Sequence, residues 1–341
     1  MAGRKTVYNN ITSEEKLAQI NKKNVELMND FLDYLVSIDR SKNTIAQYKS
    51  DLVIFFCWNI DNNDNKYFID LSKREIAKFQ KFAMTEWGWS TNRLSRVKST
   101  LSSLSNFIEN MLDDELPDYR PIVRKVESPV KQSVRDKTII TDQEVDYILS
   151  ALVESKKYQA ACAFALAAFG GARKSELLRY KVSYFDDSNI MSDAALYKTP
   201  EYIQTKGRGS SGKPLIKYTL LDFKKYFDLW MNERKDKGLT NNEYLFVRST
   251  GETMTVSGMD SIAETITRFL GRPFYFHSLR HQLCSRLFRL GLPSDVIQEY
   301  FGWSSSSMLE IYNDNDVSDS FGKFFTNDGI KGQEKKDFSD L

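Results

Sequence analysis

Apolar residues recur at helical spacing through most of the first 111 positions. Val25, Met28, Phe31, Leu32 and Leu35 share one face of the stretch from Asn24 to Ile38, which predicts an amphipathic helix. Ser41-Lys42-Asn43-Thr44 then offers a cap, and a second helix follows through Tyr48, Leu52, Phe55 and Phe56. The Asn/Asp-rich run 61–66 reads as a loop. A third helix starts at Ser72, turns Ile76, Phe79, Phe82 and Ala83 inward, and is broken by Trp87-Gly88-Trp89. A fourth runs from Ser90 to about Met111 with Leu94, Val97, Leu101, Leu104, Phe107 and Ile108 inward. Its other face presents Arg93, Arg96 and Lys98. The pattern predicts a four-helix domain over residues 20–112 with one basic surface.

Periodicity weakens over 113–137, where Pro117, Pro121 and Pro129 stand among scattered charges, as in a linker. Thr141-Asp142-Gln143-Glu144 has the form of a capping box and opens a second domain, 138–320, followed by a tail, 321–341. Helices are expected at 141–153, 157–169, 173–179, 222–237, 257–270, 277–290, 294–301 and 305–312. Between 180 and 220 the period changes. Tyr202 to Thr205 and Leu215 to Thr219 alternate like strands, with Lys206 to Lys213 as the hairpin loop between them. The fold class is therefore mainly α, with a helical N-terminal domain and a C-terminal mixed α/β domain, mostly helical with a small antiparallel sheet.

No apolar run approaches the roughly 18 residues of a membrane helix. Nor does the N-terminus carry the apolar stretch of a secretory signal. Cys57, Cys162 and Cys284 are far apart in apolar or helical surroundings and read as buried thiols of a reducing cytoplasm. Net charge is only +2, but it is unevenly spread. Residues 71–100 carry seven Lys/Arg against two acids, and residues 120–137 six against two. After position 312, seven acids face four lysines. Two basic blocks in a nearly neutral chain fit a protein that meets a polyanion on one face, although solvated helix faces give the same count.

The chain's two histidines lie four residues apart in His277-Ser278-Leu279-Arg280-His281. On a helix this is the spacing of a zinc pair, but Ser278 stands where a metalloprotease carries Glu, and Cys284 is the only, weak candidate for a third ligand, so no metal site is assigned. Arg280 falls one turn after His277, so both can enter one cleft, and an arginine fork recognises phosphate bidentately. A second arginine follows a glycine pair in Gly170-Gly171-Ala172-Arg173, with Glu176 one turn on. Further along come Gly302-Trp303 and Tyr312.

Taken in order, Arg173, Glu176, the hairpin Lys206, His277-x-x-Arg280, Trp303 and Tyr312 resemble the tyrosine site-specific recombinase (phage integrase) family, in its two-domain Xer/Cre-like form. The resemblance covers residues from about 20 to 320. It makes the N-terminal domain, with Ser41-x-x-Thr44-x-x-x-Tyr48, a core-binding domain. It implies a metal- and ATP-free reaction in which Tyr312 attacks a phosphodiester to give a 3′-phosphotyrosine. Arg173 and Arg280 would bind the non-bridging oxygens, and His277 would accept or donate a proton. Lys206 would protonate the leaving 5′-oxygen, with Arg208 and Lys213 as competitors on the same loop. Glu176 would orient its neighbours. Trp303 stands where most members carry His, and it can pack and donate one hydrogen bond but cannot act as acid or base. His281 is read as packing.

The implied partner is double-stranded DNA with inverted-repeat sites, synapsed by a homo-tetramer that recombines through a Holliday junction. Lys42, Arg93, Arg96, Lys98 and Arg208 are the expected DNA contacts. Phe321, Phe324 and Phe325 fit an ordinary C-terminal core, and the resemblance implies instead a tail helix docking on a neighbouring protomer. Two other readings stand beside this one: a type IB topoisomerase, and a DNA-binding regulator without catalysis.

Overall fold

A computed structural model describes residues 11–130, 140–205, 212–303 and 305, and the backbone of 325–326 and 329–330. The described residues fall into two compact units, one of residues 11–130 with Gly212, the other of residues 140–205 and those from Lys213 on.

In the first unit the expected helices form as α2 (Lys22–Ser37), α3 (Lys42–Asn62), α4 (Lys73–Thr85) and α5 (Thr91–Met111). They are preceded by a short α1 (Glu14–Gln19) that buries no residue, and so left no hydrophobic pattern to predict it. Ser13, Asn21, Ser41, Ser72 and Ser90 each cap the helix that follows by accepting a backbone N–H, a contact worth about 1 kcal/mol apiece. Gly88, at φ +61°, turns the chain after α4. The core is aromatic: Phe55 meets Phe79 edge to face at 5.0 Å, and Trp58 meets Phe79 at 5.1 Å. Such pairs add about 0.5–1.5 kcal/mol beyond the area they bury. Tyr48 stacks on Phe31, and Ser41 and Thr44 share a hydroxyl hydrogen bond of 2.8 Å, so the Ser-x-x-Thr-x-x-x-Tyr spacing is spent on capping and packing.

The stretch read as a linker is folded in its first half. Tyr119 bonds Ser105 at 2.7 Å, and Val123, in a 3-10 turn over Val123–Lys125, is buried in the first unit's core. Three prolines disguised this, because they remove helical periodicity without removing apolar anchors.

The second unit is arranged around α7 (Tyr158–Gly170), which is buried continuously from Ala160 to Gly170. A helix that is apolar all round belongs at the centre of a unit. Around it lie α6 (Asp142–Glu154), α9 (Lys224–Asp236) and α11 (Phe276–Arg289). The remaining helices among the described residues are α8 (Lys174–Leu177), α10 (Val256–Leu270) and α12 (Ser294–Phe301), and the helix expected at 305–312 lies almost wholly outside them.

The strands differ from expectation. The run expected as one strand over 215–219 is broken in two. Strand β2 (Ile203–Thr205) pairs antiparallel with β3 (Lys213–Leu215), whereas β4 (Tyr218–Leu220) pairs with β1 (Leu196–Lys198), which the sequence pattern did not reveal. The chain changes partner at Ile216-Lys217. Near the C-terminus, Phe325–Thr326 (β5) pairs with Gly329–Ile330 (β6), so these residues form a small ladder rather than the expected tail helix. Phe321 and Phe324 lie outside the described residues. Among the described residues no helix is long and apolar enough to cross a membrane.

Candidate active site

Helix α7 ends where chemistry was expected to begin. Gly171 adopts the left-handed conformation at φ +59°, and a side chain there would run into the Phe301 ring. This turn delivers Arg173 as the residue that precedes α8, in extended conformation. Glu176, one turn on and wholly buried, reaches back to it. Its Oε1 accepts Arg173 Nη1 at 2.7 Å and its Oε2 accepts the Arg173 backbone N–H at 3.1 Å. One carboxylate therefore fixes both the rotamer and the backbone of Arg173, whose side chain stays 25% exposed.

The sequence reading missed a third member. Lys217, at the strand break, is 1% exposed, and its Nζ lies 3.4 Å from Glu176 Oε2, an ion pair too long for a good hydrogen bond. A signal was present: Lys217 has the same strand parity as Thr219, which is buried. Burial pulls the Lys217 ammonium down to about 8, with Arg280 and Arg173 acting the same way and Glu176 opposing. For Glu176, burial pushes the carboxyl up. Lys217, Arg173 and the hydrogen bonds from Arg173 outweigh it and hold the group below the usual carboxylate range.

Arg280 comes from α11. It is wholly buried, and it donates from Nη1 to the Gly171 carbonyl at 2.7 Å and from Nη2 to the Phe301 carbonyl at 3.0 Å. Its guanidinium lies over the Phe301 ring at 4.6 Å and the Trp303 ring at 5.2 Å. Those rings stack on each other at 4.7 Å. Gly302 between them has φ +67°, and a side chain there would strike Leu215. Arg280 thus ties the end of α7 to the end of α12 as well as bringing charge. Trp303 is a packing surface for it, in keeping with an indole's chemistry.

His277 is exposed, and it lines a cleft of about 550 Å³ together with Arg173, Lys174, Ser175 and Tyr275. His281 meets it edge to face at 5.1 Å from a less exposed position. Among the described residues no three His, Cys, Asp or Glu side chains gather as a metal-ligand set. The structure thus brings Arg173, Glu176, Lys217 and Arg280 into one cluster, and His277 lines the same cleft as Arg173. Lys206, Arg208 and Tyr312 lie outside the described residues. Lys213, the other loop candidate, is 3.4 Å from the Gly302 carbonyl. Tyr300 could be mistaken for a nucleophile. It is buried, its hydroxyl donates to the Phe169 carbonyl at 2.5 Å, and burial raises its pKa further from any working pH.

In the first unit, Lys42 is exposed at the start of α3, and Arg93 lies over the Trp89 ring at 4.2 Å. Arg96 is held at 2.9 Å by Asp51, a wholly buried carboxylate that also accepts from Gln47 at 3.0 Å and Thr100 at 3.1 Å. Lys98 corrects the expectation of a basic outer face. It is buried, its ammonium donates to the Val126 carbonyl, and burial lowers its pKa. Its position on α5 faces the folded 119–126 segment, a contact invisible while that segment was read as linker.

The chain matches the model of the phage integrase family over residues 138–319. The SPbeta prophage-derived recombinase-like protein YomM of Bacillus subtilis is 26% identical over 267 residues, which cover 76% of this chain and 77% of that protein. A tyrosine recombinase of Thermosipho africanus is 26% identical over 297 residues, covering 83% and 92%. Among solved structures, the XerH site-specific recombinase bound to palindromic difH substrate covers 87% of this chain and 94% of its own, with a TM-score of 0.62 at 16% identity, a likeness of fold. With the family model matched over more than half its length, this chain belongs to the phage integrase family of tyrosine recombinases.

Proposed function

We propose that this enzyme is a site-specific DNA recombinase that cleaves and rejoins strands through a 3′-phosphotyrosine on Tyr312. The observation that carries the reading is the buried Glu176 carboxylate holding Arg173 at the mouth of a cleft that His277 also lines. A phosphodiester resists attack because its anionic oxygens repel nucleophiles, and fixed cations remove that resistance. Arg173 binds a non-bridging oxygen, and Arg280 adds charge from beneath while bracing the turns that carry Arg173 and Trp303. The Tyr312 oxygen forms the new bond to phosphorus as the bond to the 5′-oxygen breaks. The phenol proton passes to His277, and Lys206 supplies a proton to the leaving 5′-oxygen. No step is routed through a metal or a nucleotide. The locked hydroxyl of Tyr300 favours Tyr312 as the nucleophile.

The bond energy stored in the ester lets a partner strand's 5′-hydroxyl reverse the step, so paired exchanges between two synapsed sites pass through a Holliday junction. The first unit acts as the core-binding domain, with Lys42, Arg93 and Arg96 on phosphates, and the second unit as the catalytic domain. The substrate is duplex DNA with inverted-repeat sites, as for the XerH relative on its palindromic DNA, bound by four copies of the chain in the cytoplasm.

Covalent capture tests this. The protein is incubated with a pool of nicked duplexes with randomised centres, and protein–DNA adducts are recovered under denaturing conditions. Wild type gives an adduct and Tyr312→Phe gives none. No wild-type adduct, or an undiminished one in Tyr312→Phe, overturns the reading. Relaxation of supercoils without strand exchange between two recovered sites assigns the chain to topoisomerase chemistry instead.

A further inference from the structure

We infer that Lys217 is a positioning residue for strand cleavage: its buried ammonium balances Glu176, so that the carboxylate can orient Arg173 without cancelling its charge. The inference rests on the recombinase reading above.

A carboxylate that grips an arginine also neutralises it. Glu176 spends both oxygens on Arg173, one on the guanidinium and one on the backbone. Alone, that arrangement would present the phosphate with a well-placed but nearly dipolar pair. Lys217 alters the sum. Arg173, Arg280 and Lys217 against Glu176 leave two positive charges, whereas an uncharged residue at 217 leaves one. At 1% exposure Lys217 cannot touch DNA itself, so its influence passes through Glu176.

The fold holds this lysine deliberately. The Lys217 N–H donates to Thr199 Oγ1 at 3.0 Å, and the Lys217 carbonyl accepts the Thr199 N–H at 3.0 Å, clamping the backbone at the point where the chain leaves β3 for β4. Burying an ammonium is costly, and a strand break that exists to direct one inward needs a use. The charged groups facing it are Glu176 from α8, Arg173 before α8 and Arg280 from α11. The two arginines keep their charge at any working pH and Glu176 is ionised well below neutrality, so Lys217 is the group whose state changes near pH 8. Deprotonation on raising the pH through that value removes one positive charge from the cluster. Cleavage should therefore fall on the alkaline side of about 8, well before the phenol's own range near 10.

The test is the single-turnover rate of adduct formation, measured on either side of pH 8 with a nicked duplex recovered from the randomised pool. Lys217→Met should cut the rate at neutral pH by roughly ten- to a hundredfold, less than loss of a direct donor costs, and should lack the alkaline fall. Affinity for the duplex should stay within about twofold of wild type, since the residue touches no phosphate. Lys217→Arg, whose charge does not titrate, should keep most of the rate and extend it to higher pH. Circular dichroism confirms folding, and should Lys217→Met unfold, the pH profile of Lys217→Arg decides alone. A Lys217→Met or Lys217→Arg profile that superimposes on wild type overturns the inference while leaving the recombinase reading intact. Failure of wild type to form any adduct overturns both.

Discussion

Among the described residues each unit buries one carboxylate completely and uses it to hold an arginine, and the two do so differently. In the first unit Asp51 takes Arg96 from the surface and completes its shell with neutral donors, Gln47 and Thr100. In the second, Glu176 faces two cations and a backbone N–H, and one of the cations, Lys217, is as buried as itself. The first arrangement aims a single charge at the outside. The second concentrates charge around a turn, and makes each member depend on the others. A residue that grips a surface phosphate needs direction, whereas a group meant to stabilise a developing pentacoordinate phosphorus needs direction and undiminished charge together.

This contrast can be broken most directly by removing each carboxylate. Glu176→Ala strands the buried Lys217 ammonium and should destabilise the second unit by about 3–5 kcal/mol, the cost of leaving a buried charge uncompensated. Asp51→Ala should cost the first unit only about 1–3 kcal/mol, because half-exposed Arg96 can return to water and only neutral donors are orphaned. Native-state hydrogen exchange reads the two units separately through amides of α7 and α5. Equal losses would mean that the two carboxylates are interchangeable structural posts.

Within the cluster of Arg173, Glu176, Lys217 and Arg280, Arg280→Ala should lower the adduct-forming rate by at least about a hundred- to a thousandfold, on the order of 3–4 kcal/mol. His281→Gln should cost far less, since His281 packs edge to face on His277 from a less exposed position. Arg280→Lys separates brace from charge: it keeps the charge but cannot fork to both Gly171 and Phe301, so a large loss there assigns much of the effect to bracing. The smallest effect is the sharpest on the nucleophile. Tyr300→Phe should lose about 1 kcal/mol of stability, for one buried hydrogen bond, and still form the adduct.

Much of the first unit could be read in the sequence because its helices are amphipathic and capped by local residues. Ser72 with Glu75, and Thr141 with Glu144 in the second unit, form complete capping boxes within four residues. The same locality explains the legibility of Arg173 with Glu176, which lie one turn apart. The failures share a cause. Lys98 looked like a surface lysine because its carbonyl partner lies 28 residues away, in a segment without periodicity. Lys217 looked like an ordinary strand lysine because the carboxylate it faces lies 41 positions earlier in the chain. Strand β1 is three residues long and shows no alternation of its own until β4 pairs with it.

The sequence by itself determined α2 to α5 of the first unit, most helices described in the second, the order of the candidate catalytic residue types and, through that order, the family. Those follow from spacing along the chain, which local hydrogen bonding and helical geometry convert directly into shape. Only the tertiary structure decided which charges share a site. It buried Arg280 as a brace, drew Lys98 inward, and broke a strand at Ile216-Lys217 to set an ammonium beside Glu176. Burial and charge pairing depend on distances through space between residues far apart in sequence, and a lysine's spacing pattern is the same whether its charge meets water or a carboxylate.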